Sequence, residues 1–187
     1  TPDAISVQEI LFNLQQQGAQ VLAMEVSSHS LDQGRVTAAG IDCAIFTNLS
    51  RDHLDYHGTE ENYGAAKAKL FALPSVKRAV VNADDSFSSQ ILAGLPAAVE
   101  WVSYGITSAA QVRATDIELS DAGLAFNLHS PWGAGRVRSS LLGEFNVLNL
   151  LAVIAAFAQR GVELASLLAL VPSLQAVSGR MEMLALS

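Results

Sequence analysis

The sequence predicts an α/β fold: a mostly parallel sheet flanked by helices, with a small antiparallel β appendage. Short apolar runs alternate with helical patterns from Val7 to Tyr104, the signature of strands joined by crossover helices. One of those runs, Asp42 to Thr47, is of the short apolar type that is buried on both faces of a parallel sheet. Between Gln111 and Leu142 the pattern changes to strands joined by tight turns, with no helix between them.

Val7, Ile10, Leu11 and Leu14 follow the i, i+3, i+4, i+7 spacing of an amphipathic helix, and Gly18 supplies a stop. Gln20 to Val26 reads as a strand, and Asp42 to Thr47 as the next. Thr59 caps a helix running through Phe71, with Glu60 and Glu61 at its positive end and Pro74 beyond its finish. Arg78 to Asn82 is a third strand, Asp85 to Ala93 a helix, and Val99 to Tyr104 a fourth strand. In the appendage, spanning about 111–142, the strands are Val112 to Leu119, Leu124 to His129 and Arg136 to Leu141. Asp121-Ala122-Gly123 and Pro131-Trp132-Gly133 are the turns. A helix over about Asn146 to Gln159, a shorter one over Leu164 to Leu170 and a terminal strand over Met181 to Leu186 complete the chain.

With 187 residues, 50% of them apolar, the chain can bury one substantial core, so one main domain is expected. The net charge of −7 and the lack of a Lys/Arg stripe argue against a nucleic-acid or anionic-membrane surface but leave room for one anionic-ligand pocket. The single cysteine, Cys43, has no partner for an internal disulfide and reads as a small core residue in a reducing cytoplasm. The most apolar stretch, Val147 to Phe157, falls short of the roughly 20 residues that span a bilayer. The abrupt ends, Thr1-Pro2 and Ala185-Leu186-Ser187, read as those of an excerpt from a longer protein.

In an open parallel sheet, ligands bind at the carboxyl ends of the strands. Three polar clusters are expected at that edge: Glu25 with Ser27-Ser28-His29, Asn48 to His57, and Asn82-Ala83-Asp84-Asp85. Glu25 ends an apolar strand, where a buried carboxylate needs a partner, either Arg or Lys or a hard cation such as Mg²⁺. His53 is a second ligand or a structural loop histidine. His53 and His57 are four apart, a spacing that suggests zinc, but no Cys or Glu completes a zinc set. Ser28-His29 lacks the G-x-S-x-G setting of a hydrolase nucleophile. Lys67, among Gly64, Ala65 and Ala66, is either a solvated lysine or an amine with space around it, and Lys69 points roughly 200° away around the helix. Asn146 reads as a cap and Asn149, a turn later, as an amide presented to a ligand. Arg180 either clamps a phosphate or pairs with Glu182.

Together, Met24 to His29, Phe46 to His57, Asn82 to Asp85, Gly143 to Asn149 and Gly179 to Glu182 resemble the Mur ligase family, ATP-dependent amide-forming enzymes of peptidoglycan synthesis. The likeness runs through essentially the whole chain and is strongest to the branch that adds the third stem-peptide residue. It implies the family's P-loop NTPase-like central domain, here the whole of 1–187. It also implies that Glu25 and His53 hold Mg²⁺ and that Lys67 is carbamylated, its carbamate oxygens helping to position a metal. Thr1, Ser27, Gln33 and Arg35 match positions that bind UDP-MurNAc-L-Ala-D-Glu, and Asn149 and Arg180 match positions around ATP.

By the same resemblance, ATP phosphorylates the glutamate side-chain carboxylate and an amine attacks the acyl phosphate. A missing C-terminal domain selects that amine, meso-diaminopimelate or L-lysine, and general likeness to Gram-negative sequences favours diaminopimelate. The family's phosphate loop ending in Gly-Lys-Thr and its N-terminal uridine-binding domain are missing too, as are the Asp and Lys that follow the Arg180 motif. The isolated segment is therefore expected to be inactive, and the whole protein to be a cytoplasmic bacterial monomer. Two other readings stay open: a nucleotide-binding module of the same fold without turnover, and a metal-dependent hydrolase using His53, His57 and Asp55.

Overall fold

A computed structural model of the chain describes residues 1–50 and 53–176. Arg180 and the strand expected over Met181 to Leu186 lie outside the described residues. Seven α-helices are described: α1 (Ala4–Gln16), α2 (Ser28–Asp32), α3 (Leu54–His57), α4 (Glu60–Ala68), α5 (Ser88–Ala93), α6 (Glu144–Ala158) and α7 (Leu164–Leu170). The strands are β1 (Cys43–Phe46), β2 (Arg78–Asn82), β3 (Glu100–Gly105), β4 (Val112–Ser120), β5 (Gly123–Ser130) and β6 (Gly133–Ser139), in spatial order β1-β2-β3-β4-β5-β6. The fold class is the expected one, a mostly parallel sheet with an antiparallel extension.

The chain divides into two compact units, where composition suggested one main domain. Of the described residues, the first comprises 1–44, 48–50, 53–79 and 89–100, and the second 45–47, 80–88 and 101–176. The chain passes from one unit to the other within β1, β2, α5 and β3 and just after β1, so no Pro/Gly-rich stretch announces the division.

In the first unit, Asp3 caps α1 by accepting hydrogen bonds from the Ile5 and Ser6 amides, and Gly18 follows the helix in the left-handed region at φ 84°. Only Val7 of the expected apolar stripe is fully buried; Ile10 is 45% exposed. Residues 20–26 do not form the expected strand. Val21 and Leu22 are exposed and Glu25 is exposed with them, so the premise of a buried carboxylate at a strand end also fails. Apolar residues with β propensity make a strand only where a neighbour pairs the backbone, and among the described residues this segment has none. Thr59 caps α4 as expected, through the Asn62 amide, and the helix tightens into a 3₁₀ turn over Lys69–Ala72. Arg78 grips Asp42 with one guanidinium nitrogen at 2.9 and 3.2 Å from the two carboxylate oxygens. Cys43 is half-buried rather than a core residue.

In the second unit, β3 and β4 pair in parallel only at Tyr104↔Val112 and Gly105↔Arg113. On its other edge β4 pairs antiparallel with β5 from Arg113 to Ser120, and β5 pairs antiparallel with β6. Leu124, Phe126 and Leu128 alternate onto the buried face, against α6, whose Val147, Leu150, Leu151, Ile154 and Ala155 are buried. The Tyr104 hydroxyl donates to the Phe46 carbonyl at 3.1 Å, and burial holds its pKa far above the usual tyrosine value.

Candidate functional site

A connected polar constellation lies within the first unit and starts from a helix end. Ser27 caps α2 through its hydroxyl, which accepts from the Ser30 amide. Gly34, at φ 66°, ends the helix in the left-handed conformation; the Arg35 amide donates to the Ser30 carbonyl at 2.9 Å and the Gly34 amide to the Leu31 carbonyl at 3.3 Å. This Schellman closure places the side chains of Gln33 and Arg35 on one short turn.

All four residues expected to bind substrate are connected there. Arg35 Nε donates to Gln33 Oε1 at 2.8 Å, and its Nη1 to the Thr1 carbonyl at 3.1 Å. The Thr1 hydroxyl accepts from the Ser27 amide at 3.0 Å and donates to the Glu25 carbonyl at 3.2 Å. The hydrogen-bonded chain continues through residues with no expected role: Gln33 Nε2 donates to the Tyr56 hydroxyl at 3.3 Å, and that hydroxyl to Asp32 Oδ2 at 3.1 Å. Lys69 Nζ then reaches Asp32 Oδ1 at 2.6 Å.

Next to this chain, five rings gather from α2, α3 and α4. His29 lies 5.0 Å from His53, 4.1 Å from Tyr56 and 5.4 Å from His57, while Tyr63 stacks on His57 at 5.4 Å. His53 precedes α3 at φ 57°, a left-handed conformation uncommon for a side-chain-bearing residue and concentrated at functional sites. His57 is buried, with Nε2 2.9 Å from the Ser28 hydroxyl. Burial, followed by the neighbouring His29, holds its imidazole below the usual histidine range. Of the three residues named for a hydrolase set, His57 is engaged with Ser28 through Nε2, His53 is half-buried and Asp55 is exposed.

Lys67 and Lys69 diverge as the helix geometry requires. Lys67 Nζ donates to the Asn48 carbonyl at 2.8 Å and stands 4.9 Å over the Tyr63 ring. Lys69 faces a cavity of ≈ 480 Å³ lined by Asp32, Tyr56, His57, Asn62, Ala65 and Ala66. His53 and Lys67 thus meet the same Tyr63 ring.

Among the described residues, no group of three or more His, Cys, Asp or Glu side chains is gathered to hold a metal ion. The exposed Glu25 carboxylate offers oxygen donors of the kind a hard cation takes and the half-buried His53 imidazole a nitrogen donor, and these two side chains fall short of the four ligands that close a structural zinc site.

The third polar cluster proves to be turn chemistry in the second unit. Asp84 accepts from the amides of Ile106, Thr107 and Ser108 and from the Thr107 hydroxyl, while Asn82 donates to the Thr47 carbonyl and accepts from the Asp84 amide. Asn146 is not the cap of α6, a place taken by Gly143. It sits inside the first turn, its amide donating to the Leu142 carbonyl at 2.7 Å, and exposed Asn149 donates to Asn146 at 3.1 Å.

Residues 1–157 match the family model described as the Mur ligase middle domain. The chain belongs to the Mur ligase family. As a Mur ligase segment it is 50% identical over 185 residues to the UDP-N-acetylmuramoyl-L-alanyl-D-glutamate--2,6-diaminopimelate ligase of Pseudomonas aeruginosa, covering 98% of this chain and 38% of that protein. It is 45% identical to the enzyme of the same name from Neisseria meningitidis serogroup B, covering 97% of this chain and 38% of that protein. A solved structure of a ligase of that name superposes with a TM-score of 0.93 at 41% identity, covering all of this chain and 39% of that one. MurF from Acinetobacter baumannii matches with a TM-score of 0.73 at 27% identity, over 82% of this chain and 33% of that one. This Mur ligase segment therefore spans less than two-fifths of the length of these relatives.

Proposed function

We propose that this chain is the middle part of an ATP-dependent ligase that joins meso-diaminopimelate to UDP-MurNAc-L-Ala-D-Glu in peptidoglycan synthesis. The observation that carries the reading is the linkage of Thr1, Ser27, Gln33 and Arg35 into one hydrogen-bonded surface, in a chain half identical to a ligase named for those substrates. In this reading the whole protein acts in the bacterial cytoplasm as a monomer and serves wall growth, cell shape and division. The domain limits are 1–187, with the phosphate loop and the amine-selecting domain supplied by sequence outside it.

Arg35 and Gln33 present N–H donors for carboxylate, carbonyl or phosphate oxygens of the UDP-muramoyl dipeptide, and Thr1 ties that turn to Glu25 and Ser27. Asn149 and Arg180 serve ATP. Glu25 and His53, with Lys67 as its carbamate, would hold Mg²⁺. The ion would supply positive charge against the phosphates. Once the glutamate carboxylate has taken the γ-phosphoryl group of ATP, the amine nitrogen attacks the acyl carbon. Phosphate leaves with the bonding electrons, and the nitrogen loses a proton.

The test is product formation from ATP, UDP-MurNAc-L-Ala-D-Glu and meso-diaminopimelate. The full-length protein forms the UDP-muramoyl tripeptide with one ADP per amide, whereas the isolated 187-residue segment forms none. Ligation by the pure segment, or its absence in the full-length protein, refutes the reading.

A further inference from the structure

Between Arg35 and Asp32 the direction of every hydrogen bond is dictated by chemistry. A guanidinium can only donate and an ionised carboxylate can only accept. Asp32 is kept ionised by the Lys69 hydrogen bond first and the Tyr56 hydroxyl second, which together hold its pKa below the usual carboxylate range. The Tyr56 hydrogen is therefore committed to Asp32 at 3.1 Å, leaving its oxygen as the acceptor that Gln33 meets at 3.3 Å. At the other end, Arg35 at 2.8 Å demands the Gln33 carbonyl oxygen. A flipped Gln33 amide would set N–H against N–H at Arg35 and two acceptor oxygens against each other at Tyr56.

We propose that Lys69, Asp32 and Tyr56 are positioning residues for substrate recognition, locking the Gln33 amide so that its second N–H is offered to an acceptor oxygen of the UDP-muramoyl dipeptide. The inference rests on the substrate reading above. The Lys69–Asp32 pair is half exposed, 51% and 41%, so it contributes little to stability and its consequence lies in the orientation it transmits. The pair is assembled from α2 and the turn after α4, 37 residues apart, and Tyr56 from α3 ties it to the α2 turn.

The test uses the full-length ligase. Tyr56→Phe removes the hydroxyl and keeps the ring. It raises KM for the UDP-muramoyl dipeptide about fivefold, the loss of one net hydrogen bond, with kcat and the ATP KM within about twofold of wild type. Lys69→Met raises the same KM, and Lys69→Arg restores it. In a Gln33→Ala background, Tyr56→Phe has no further effect, because the amide it positions is gone. An unchanged KM in Tyr56→Phe, or its full factor reappearing in the Gln33→Ala background, overturns the proposal.

A second readout is independent of turnover. The side-chain amide ¹⁵N–¹H pair of Gln33 shifts in Tyr56→Phe and in Asp32→Asn, and unshifted resonances overturn the lock. If the unmodified enzyme forms no amide, the substrate reading fails, and the resonance test alone decides the orientation.

Discussion

The His57 imidazole nitrogen Nε2 lies 2.9 Å from the Ser28 hydroxyl, both side chains being buried, and so α3 is fastened to α2 through a member of the ring cluster. Ser28→Ala leaves that nitrogen without its partner and is expected to cost about 1–3 kcal/mol.

The same pair predicts a pH dependence. His57 in the folded chain titrates below its ordinary value of 6.5, so the unfolded chain binds the proton first. Its contribution to stability is complete above pH 6.5, declines as the pH falls from there to the folded pKa, and is flat below it. Urea midpoints measured across pH 5–8 should fall on the acid side in the wild type and less so in His57→Gln.

His53 holds φ 57° while beginning α3. The left-handed conformation costs a side-chain-bearing residue about 1 kcal/mol, which glycine avoids. His53→Gly is therefore expected to be more stable than His53→Ala by about that amount, although both lose the imidazole and with it the proposed metal position. Equal melting temperatures for the two would show that the backbone there carries no such cost.

Asp84 and Gly105 make one device in the second unit. A Cβ at Gly105 would come within 2.7 Å of the Ser108 hydroxyl and 2.8 Å of Asp84 Oδ1, the oxygen that accepts from Thr107 and Ser108. Gly105→Ala and Asp84→Ala should each destabilise by about 1–3 kcal/mol, and the double variant by less than their sum. Burial opposes ionisation of Asp84, but the hydrogen bonds from Ile106, Thr107 and Ser108 outweigh it and lower its pKa. Its stabilisation is present above the ordinary value of 3.8 and is lost as the pH falls through the folded pKa.

The elements that were legible in the sequence are those whose signal is local. Thr59 announces α4, Gly18 ends α1, and Asp121-Ala122-Gly123 and Pro131-Trp132-Gly133 mark the β4–β5 and β5–β6 turns, each near its expected place. Residues 20–26 misled because apolar composition reports a tendency to pair, while pairing depends on a neighbour elsewhere in the chain. α2 leaves no period in the sequence because only five residues form it, and Gly34, at the Schellman closure, is its one local signal. Of the candidate site, Glu25 and His53 stand out in the sequence by their own chemistry, Lys67 only through the family resemblance, and Tyr63 is signalled by its place four residues before Lys67 on the same helix face. Asp32 and Lys69 had no such cue, since their pairing spans 37 residues and follows only from the folded chain.

The most direct measurement of the central claim is tripeptide formation by the full-length protein and by its Lys67→Ala variant, with ATP, UDP-MurNAc-L-Ala-D-Glu, meso-diaminopimelate, Mg²⁺ and bicarbonate present. The account predicts amide product and ADP in equal amounts from the wild type, and a loss of about a hundredfold or more when charge stabilisation through Lys67 is removed. A fully active Lys67→Ala enzyme, or ATP turnover by the wild type with no amide formed, would contradict it.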